Sequence, residues 1–205
     1  MDRTTQAERL IELGIHTAAG VDEETLRGWA ADLTGQEGTL AIHPDVVPAA
    51  ALAPYLHRGD KQGFVVRDLT DLAEFTPIDG ITVPDRPLYL LRDVQRGDEM
   101  RDWSPDEALP AITGAGRTPL TVHEGISWLL QQPERLEPGS CFMTVGSRRR
   151  GPGGRLDART PALWISGGTG HDGSERKGAP KVGWCWAGNR HTWLGFASAA
   201  GRHAP

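Results

Sequence analysis

The sequence predicts an α+β protein, a single domain over 1–205 with a mainly antiparallel sheet, helices on one face, and a tryptophan-rich β-hairpin at the end. Three observations carry this. Ser104-Pro105-Asp106-Glu107 and Thr121-Val122-His123-Glu124 are capping-box signatures that open helices in mid-chain. After them come short strand-like runs separated by Gly-rich loops, the pattern of hairpin-connected strands that follow a helical portion. Finally, Lys181–Ala197 sets three of the chain's seven tryptophans around Gly188-Asn189, a pair suited to a type II′ turn.

Taken in order, residues 5–13 form a short amphipathic helix through Leu10, Ile11 and Leu13, ended by Gly14. Asp22 caps a second helix that turns Leu26, Trp29, Ala30 and Leu33 inward, and Thr39–Ile42 is a strand; these make 1–46 a helical N-terminal subregion. A helix from about Val47 to Tyr55 is interrupted before Pro54. Gly63–Asp68 is a strand, Leu69–Phe75 a helical turn, and Pro87–Val94 the clearest strand of the first half. The helix opened by Thr121 runs to about Gln132, buries Ile126, Leu129 and Leu130, and stops at Pro133. Cys141–Ser147 and Pro161–Ser166 are strands, with mobile loops expected over 148–160 and 167–180.

In the terminal hairpin the turn fixes the register. Trp186 is expected opposite His191 and Trp184 opposite Trp193, so alternation gathers all four on one face. Such a face is either core or a stacking platform for a flat ligand.

Four runs, LAPYLHRGDKQGFVVRDL, PLYLLRDVQRGDEMRDWSPDEALP, RTPLTVHEGISWLLQQPE and PALWIS…KGAPKVGWCWAGNRHTWLG, resemble an actinobacterial family grouped as a domain of unknown function. The resemblance covers the chain from about residue 50 onward. It implies one full-length domain and brings no catalytic residue, metal or cofactor. The two Gly-rich loops are longer than that family's pattern, so no role is carried to residues inside them.

A net charge of −5 argues against a general nucleic-acid binder. No apolar run approaches the ~18 residues that span a bilayer. The charged start, MDRTTQAERL, lacks a signal-peptide core, so the expected setting is cytoplasmic. There, Cys141 and Cys185 are expected as buried free thiols.

Motifs that carry chemistry are few. Gly168–Gly173 matches G-x-G-x-x-G, but Gly178-Ala179-Pro180 leaves no helix to receive a pyrophosphate. No G-x-S-x-G, H-E-x-x-H or C-x-x-C spacing occurs. Asp93, Asp98, Glu99 and Asp102 interleave with Arg92, Arg96 and Arg101, which reads as ion pairing. Two Arg-Gly-Asp tripeptides, at 58–60 and 96–98, read as turns.

What remains is a ligand surface of Trp184, Trp186, His191 and Trp193, with Arg148 and Lys181 supplying charge. The partner it implies is a small anionic, ring-containing molecule. The alternative is a protein-interaction module without chemistry, since tryptophan and arginine dominate interface hot spots.

Overall fold

The computed structural model describes residues 1–35 and 37–204. Its four long helices all begin at polar caps. Asp2 accepts from Thr5 N ahead of α1 (Arg3–Glu12), and Asp22 accepts from Thr25 N ahead of α2 (Glu23–Asp32). Both capping boxes form, before α3 (Pro105–Gly114) and α4 (Val122–Gln131).

Eight strands build two sheets. They are β1 (Thr39–Ile42), β2 (Phe64–Val65), β3 (Leu88–Arg92), β4 (Cys141–Met143), β5 (Arg159–Ile165), β6 (Pro180–Trp186), β7 (Leu194–Phe196) and β8 (Gly201–His203). The smaller sheet has the order β1-β3-β8 and is antiparallel throughout, with Leu40 opposite Leu90 and Arg202 opposite Leu91. The larger has the order β7-β4-β5-β6-β2. Its central strands are antiparallel, and its outer strands β7 and β2 run parallel to their neighbours. Three two-stranded pairs complete the strand set, one of them joining Phe75–Pro77 to Ser147–Arg149.

Helix α4 lies between the two sheets. Toward the smaller sheet, Ile42 N donates to Ser127 Oγ at 3.2 Å and Tyr89 OH donates to Glu124 Oε1 at 3.0 Å. Toward the larger, the Trp128 and Phe142 rings lie 5.1 Å apart. Gly125 makes the close approach there: a Cβ on it would sit 2.6 Å from Thr144 Cγ2. The helix is therefore buried around nearly its whole circumference, although its sequence reads as one apolar stripe. One hydrophobic cluster runs from Ala7 to Ala199.

The α+β class and the mainly antiparallel sheet follow the sequence. The tryptophan-rich antiparallel pair is present too, but its composition is corrected. β6 pairs along all seven residues with β5, the strand before it, while β7 pairs with β4. Trp184 stands opposite Pro161 and Trp186 opposite Arg159, so neither faces Trp193 or His191. Nor does the pair end the fold, because β8 follows and closes the smaller sheet.

Smaller differences have local causes. The strand expected over 141–147 breaks after Met143, since a Cβ at Gly146 would sit 2.6 Å from Leu120 O and backbone crosses there. The helix near residue 50 is a four-residue turn, Ala49–Leu52, tightening to 3₁₀ over Ala53–Tyr55. Within 148–160 three arginines form ion pairs: Arg149 Nε contacts Glu74 at 2.7 Å, Arg150 contacts Asp79 at 2.6 Å, and Arg159 grips Asp71 and Asp157, while Arg155 is exposed. Two of the four mid-chain acidic residues are paired as well, Asp98 with Arg96 and Arg101, and Asp93 with Arg117.

Candidate binding cleft

Strand β6 has one partly uncovered edge. β2 accompanies it only at Lys181 and Val182, and the bond from Val66 N to Val182 O is the last rung before the chain turns away. Past that point lies a cleft of about 510 Å³. Trp164 and Trp184 wall it, Lys181 and Asp172 sit at its buried end, and the exposed Arg67, Asp68, Thr169 and His171 form the mouth.

The strand register explains the two walls. On β6, Lys181 and Gly183 point to one side of the sheet and Val182, Trp184 and Trp186 to the other. Trp164 stands opposite Lys181, and its ring lies where a Gly183 side chain would be: a Cβ there would be 2.4 Å from Trp164 Cη2. Only glycine at 183 leaves room for the indole. The two tryptophans thus come from opposite faces of the sheet, and both line the cleft.

The buried end is an ion pair. Lys181 Nζ lies 2.6 Å from Asp172 Oδ2 and 4.6 Å from the Trp164 ring centroid, a cation–π contact. Ser166 Oγ donates to the same carboxylate at 2.7 Å and accepts from Gly168 N at 3.1 Å. Burial works to raise the Asp172 carboxyl, but the hydrogen bonds from Lys181 and Ser166, with the Lys181 and Arg176 charges, hold it below the usual carboxylate value. The Gly-rich loop that resembles a dinucleotide fingerprint serves here as the carrier of Asp172. It folds into two 3₁₀ turns, Gly170–Asp172 and Ser174–Arg176, and opens no helix.

Of the six residues singled out from sequence, Lys181 and Trp184 line this cleft. Trp186 is the next ring out: it meets Trp184 edge-on at 4.6 Å and is 48% exposed. Trp193 and His191 lie on the side of Trp164. The Trp193 ring is 6.3 Å from Trp164 and 5.2 Å from His191, whose buried Nε2 has no hydrogen-bond partner among the described residues. Arg148 is elsewhere. It is buried and donates twice to Asp157 O, at 3.0 and 2.6 Å, with Asp106 3.9 Å away. Burial lowers its pKa, against the pull of the Asp106 and Asp157 charges.

Sequence reasoning missed Trp164, Asp172, Arg67 and His171. The pairing of β5 with β6 would have delivered Trp164, but alternation alone does not say which strand is the neighbour. Arg67 makes no hydrogen bond or ion pair among the described residues, so its guanidinium is open to a ligand at the mouth. Both cysteines are free, and burial pushes the Cys185 thiol up to about 11, so it is protonated at neutral pH. Among the described residues no three His, Cys, Asp or Glu side chains group as metal ligands.

Comparison with known proteins adds a family and nothing finer. The model of a family of unknown function, DUF5701, matches residues 9–205. No curated protein and no solved structure matches the chain.

Proposed function

This chain belongs to the DUF5701 family, and from that premise we propose that the cleft beside β6 binds a small anionic, ring-containing molecule. The observation that carries the reading is the Lys181–Asp172 pair against the Trp164 indole, in a cleft that Trp184 also lines, with Arg67, unpaired among the described residues, at the mouth. A flat ring stacks on Trp184 or Trp164, and its acidic group is received by Arg67 and by the remaining N–H groups of Lys181. Asp172 holds the lysine in place and offsets its charge when no ligand is bound. The cleft volume is in the range of small-molecule sites.

The test is a thermal-shift and titration screen with nucleotides, aromatic carboxylates and sugar phosphates. A ligand at about 100 times its Kd adds roughly 2.7 kcal/mol to stability. Trp184→Ala and Arg67→Ala are each expected to weaken binding at least tenfold while the unliganded protein stays folded. A ligand that binds both variants as it binds the parent refutes the site.

A second reading rests on two exposed tryptophans. Trp186 and Trp103 are 48% and 40% exposed, and tryptophan is enriched in the hot spots of protein interfaces. Self-association that rises with concentration and vanishes in Trp186→Ala would favour it. The free thiols support a cytoplasmic setting, and the continuous core supports a single domain. No helix among the described residues is long and apolar enough to cross a membrane.

A further inference from the structure

The open edge of β6 carries backbone groups that the sheet does not use. Val66 N reaches Val182 O at 2.9 Å, so backbone alternation turns the N–H and C=O groups of Trp184 and Trp186 to that same side. The β2 ladder stops before reaching them. Val66 O accepts instead from Leu69 N at 3.1 Å, closing the turn that carries Arg67 and Asp68, and so is lost as the next acceptor for Trp184 N. Trp186 O is met by Asn189 N at 3.0 Å. Trp184 N, Trp184 O and Trp186 N are left without a hydrogen-bond partner among the described residues. A row of this kind recognises another extended backbone, and here it runs beside the cleft that Arg67, Lys181 and Trp184 line.

The two ends of the row differ. At the β2 end, Val66 and the turn after it fill the next place in the sheet, so an added strand must terminate there. Past Trp186 the chain is open, with Gly188, Asn189 and Arg190 exposed. The free group nearest the block is a donor, Trp184 N–H, and the Arg67 guanidinium belongs to the blocking turn. A carboxylate answers both, whereas an ammonium would set donor against donor. Of the acidic groups lining the cleft, Asp172 is held by Lys181, and the exposed Asp68 offsets part of the charge of Arg67 but leaves the N–H free. Resting on the reading of this cleft as a site for an anionic ring compound, we propose that its ligand is the C-terminal end of a peptide, added antiparallel to β6. The last residue pairs with Trp184: its N–H donates to Trp184 O, and its carboxylate accepts from Trp184 N and Arg67. Two residues earlier, a peptide carbonyl accepts from Trp186 N. In this register the last side chain falls on the Trp184 face of the sheet, where an aromatic ring stacks on that indole.

Calorimetry with acetyl-Ala-Ala-Phe tests this against its C-terminal amide, against the peptide N-methylated at Phe, and against 3-phenylpropionate, which keeps ring and acid without backbone. The free peptide is expected to bind at least about tenfold more tightly than each of the others. Arg67→Ala is expected to weaken the free peptide and leave the amide unchanged, and Asp68→Asn to tighten the free peptide. Thermal transitions recorded in parallel separate lost binding from lost fold. Amide hydrogen exchange at Trp184 and Trp186 is expected to slow when the peptide is added. If 3-phenylpropionate binds as tightly as the peptide, the proposal is overturned while the cleft reading stands; if none of the four binds saturably, both fall. An N-methylated peptide that binds as well as the parent, or unchanged exchange at the two tryptophans, would also overturn the proposal. Protection that grows with protein concentration in the absence of peptide would overturn it in favour of pairing between two copies of this chain.

Discussion

Glu124 is fully buried, and four donors account for it: Tyr89 OH, the backbone N of Thr121, and Nε and Nη2 of Arg202, at 3.0, 2.8, 2.5 and 2.6 Å. Arg202 spends its other donors on Thr118 Oγ1 and Pro119 O. Burial, with the neighbouring carboxylate charge, raises the Tyr89 pKa well above its usual value, so the phenol stays a donor. Removing one partner leaves a charge stranded in the core. Arg202→Ala is therefore expected to lower unfolding free energy by about 3–5 kcal/mol in urea titration. Arg202→Met combined with Glu124→Met is expected to recover much of that loss, because no charge is left unpaired. The sequence marks Glu124 as half of a capping box and says nothing of its guanidinium. Arg202 lies 78 residues away in a run, AAGRHA, with no strand signature. Its pairing is set by tertiary packing, which local pattern does not encode.

Among elements, α4 sets the spacing of the molecule, and Gly125 sets how close the larger sheet comes. A glycine inside a helix costs about 0.5–1 kcal/mol relative to alanine, so propensity alone favours Gly125→Ala. The space does not. The added methyl would meet Thr144 Cγ2 at 2.6 Å and Leu163 Cδ1 at 3.0 Å, and overpacking of this kind costs about 1–3 kcal/mol. The expected net result is destabilisation of up to about 2 kcal/mol, read as a lower denaturant midpoint. The helices were the legible elements, because caps and stop signals are local chemistry. Strand existence was legible, and strand partnership was not. Gly188-Asn189 supplies a good turn, but folding back there would pair β6 with a segment that forms only a three-residue strand. Pairing with β5 gives β6 a seven-residue ladder and places the Trp164 indole over Gly183. The longer ladder prevails, and the four residues expected on one face are divided between two. Half of the cleft was still visible in Lys181 and Trp184, since a residue's own chemistry does not depend on which strand lies beside it.

At the scale of the whole molecule, much of the cross-linking between distant segments is ionic. Arg159 bridges Asp71 and Asp157 while lying 5.2 Å from the Phe75 ring, and Arg149 reaches Glu74 and Asp71. Hydrogen bonding and charge from Arg159 hold the Asp157 carboxyl at about 2, and the Asp71 carboxyl also lies below its usual value. The folded-state values are depressed, so the stabilisation is fully present above the ordinary carboxylate range near 4. It is lost as pH falls from there toward 2. Asp157 alone is expected to contribute on the order of 1–2 kcal/mol of this acid-dependent stability. Urea midpoints measured from pH 6 to pH 2.5 should fall less steeply in Asp157→Asn than in the parent protein.

The distance in sequence between Glu124 and Arg202 also has a consequence in time. During synthesis the carboxylate is made 78 residues before its guanidinium. At about 5–20 residues per second that interval is roughly 4–16 s. Until it ends, the smaller sheet lacks its third strand and α4 has a charged residue that is costly to bury. α4 is therefore expected to settle stably between its two sheets only once β8 can pair Glu124. The pairing the core lacks until last is thus supplied by β8, so folding is expected to complete only after that strand is free to join the sheet.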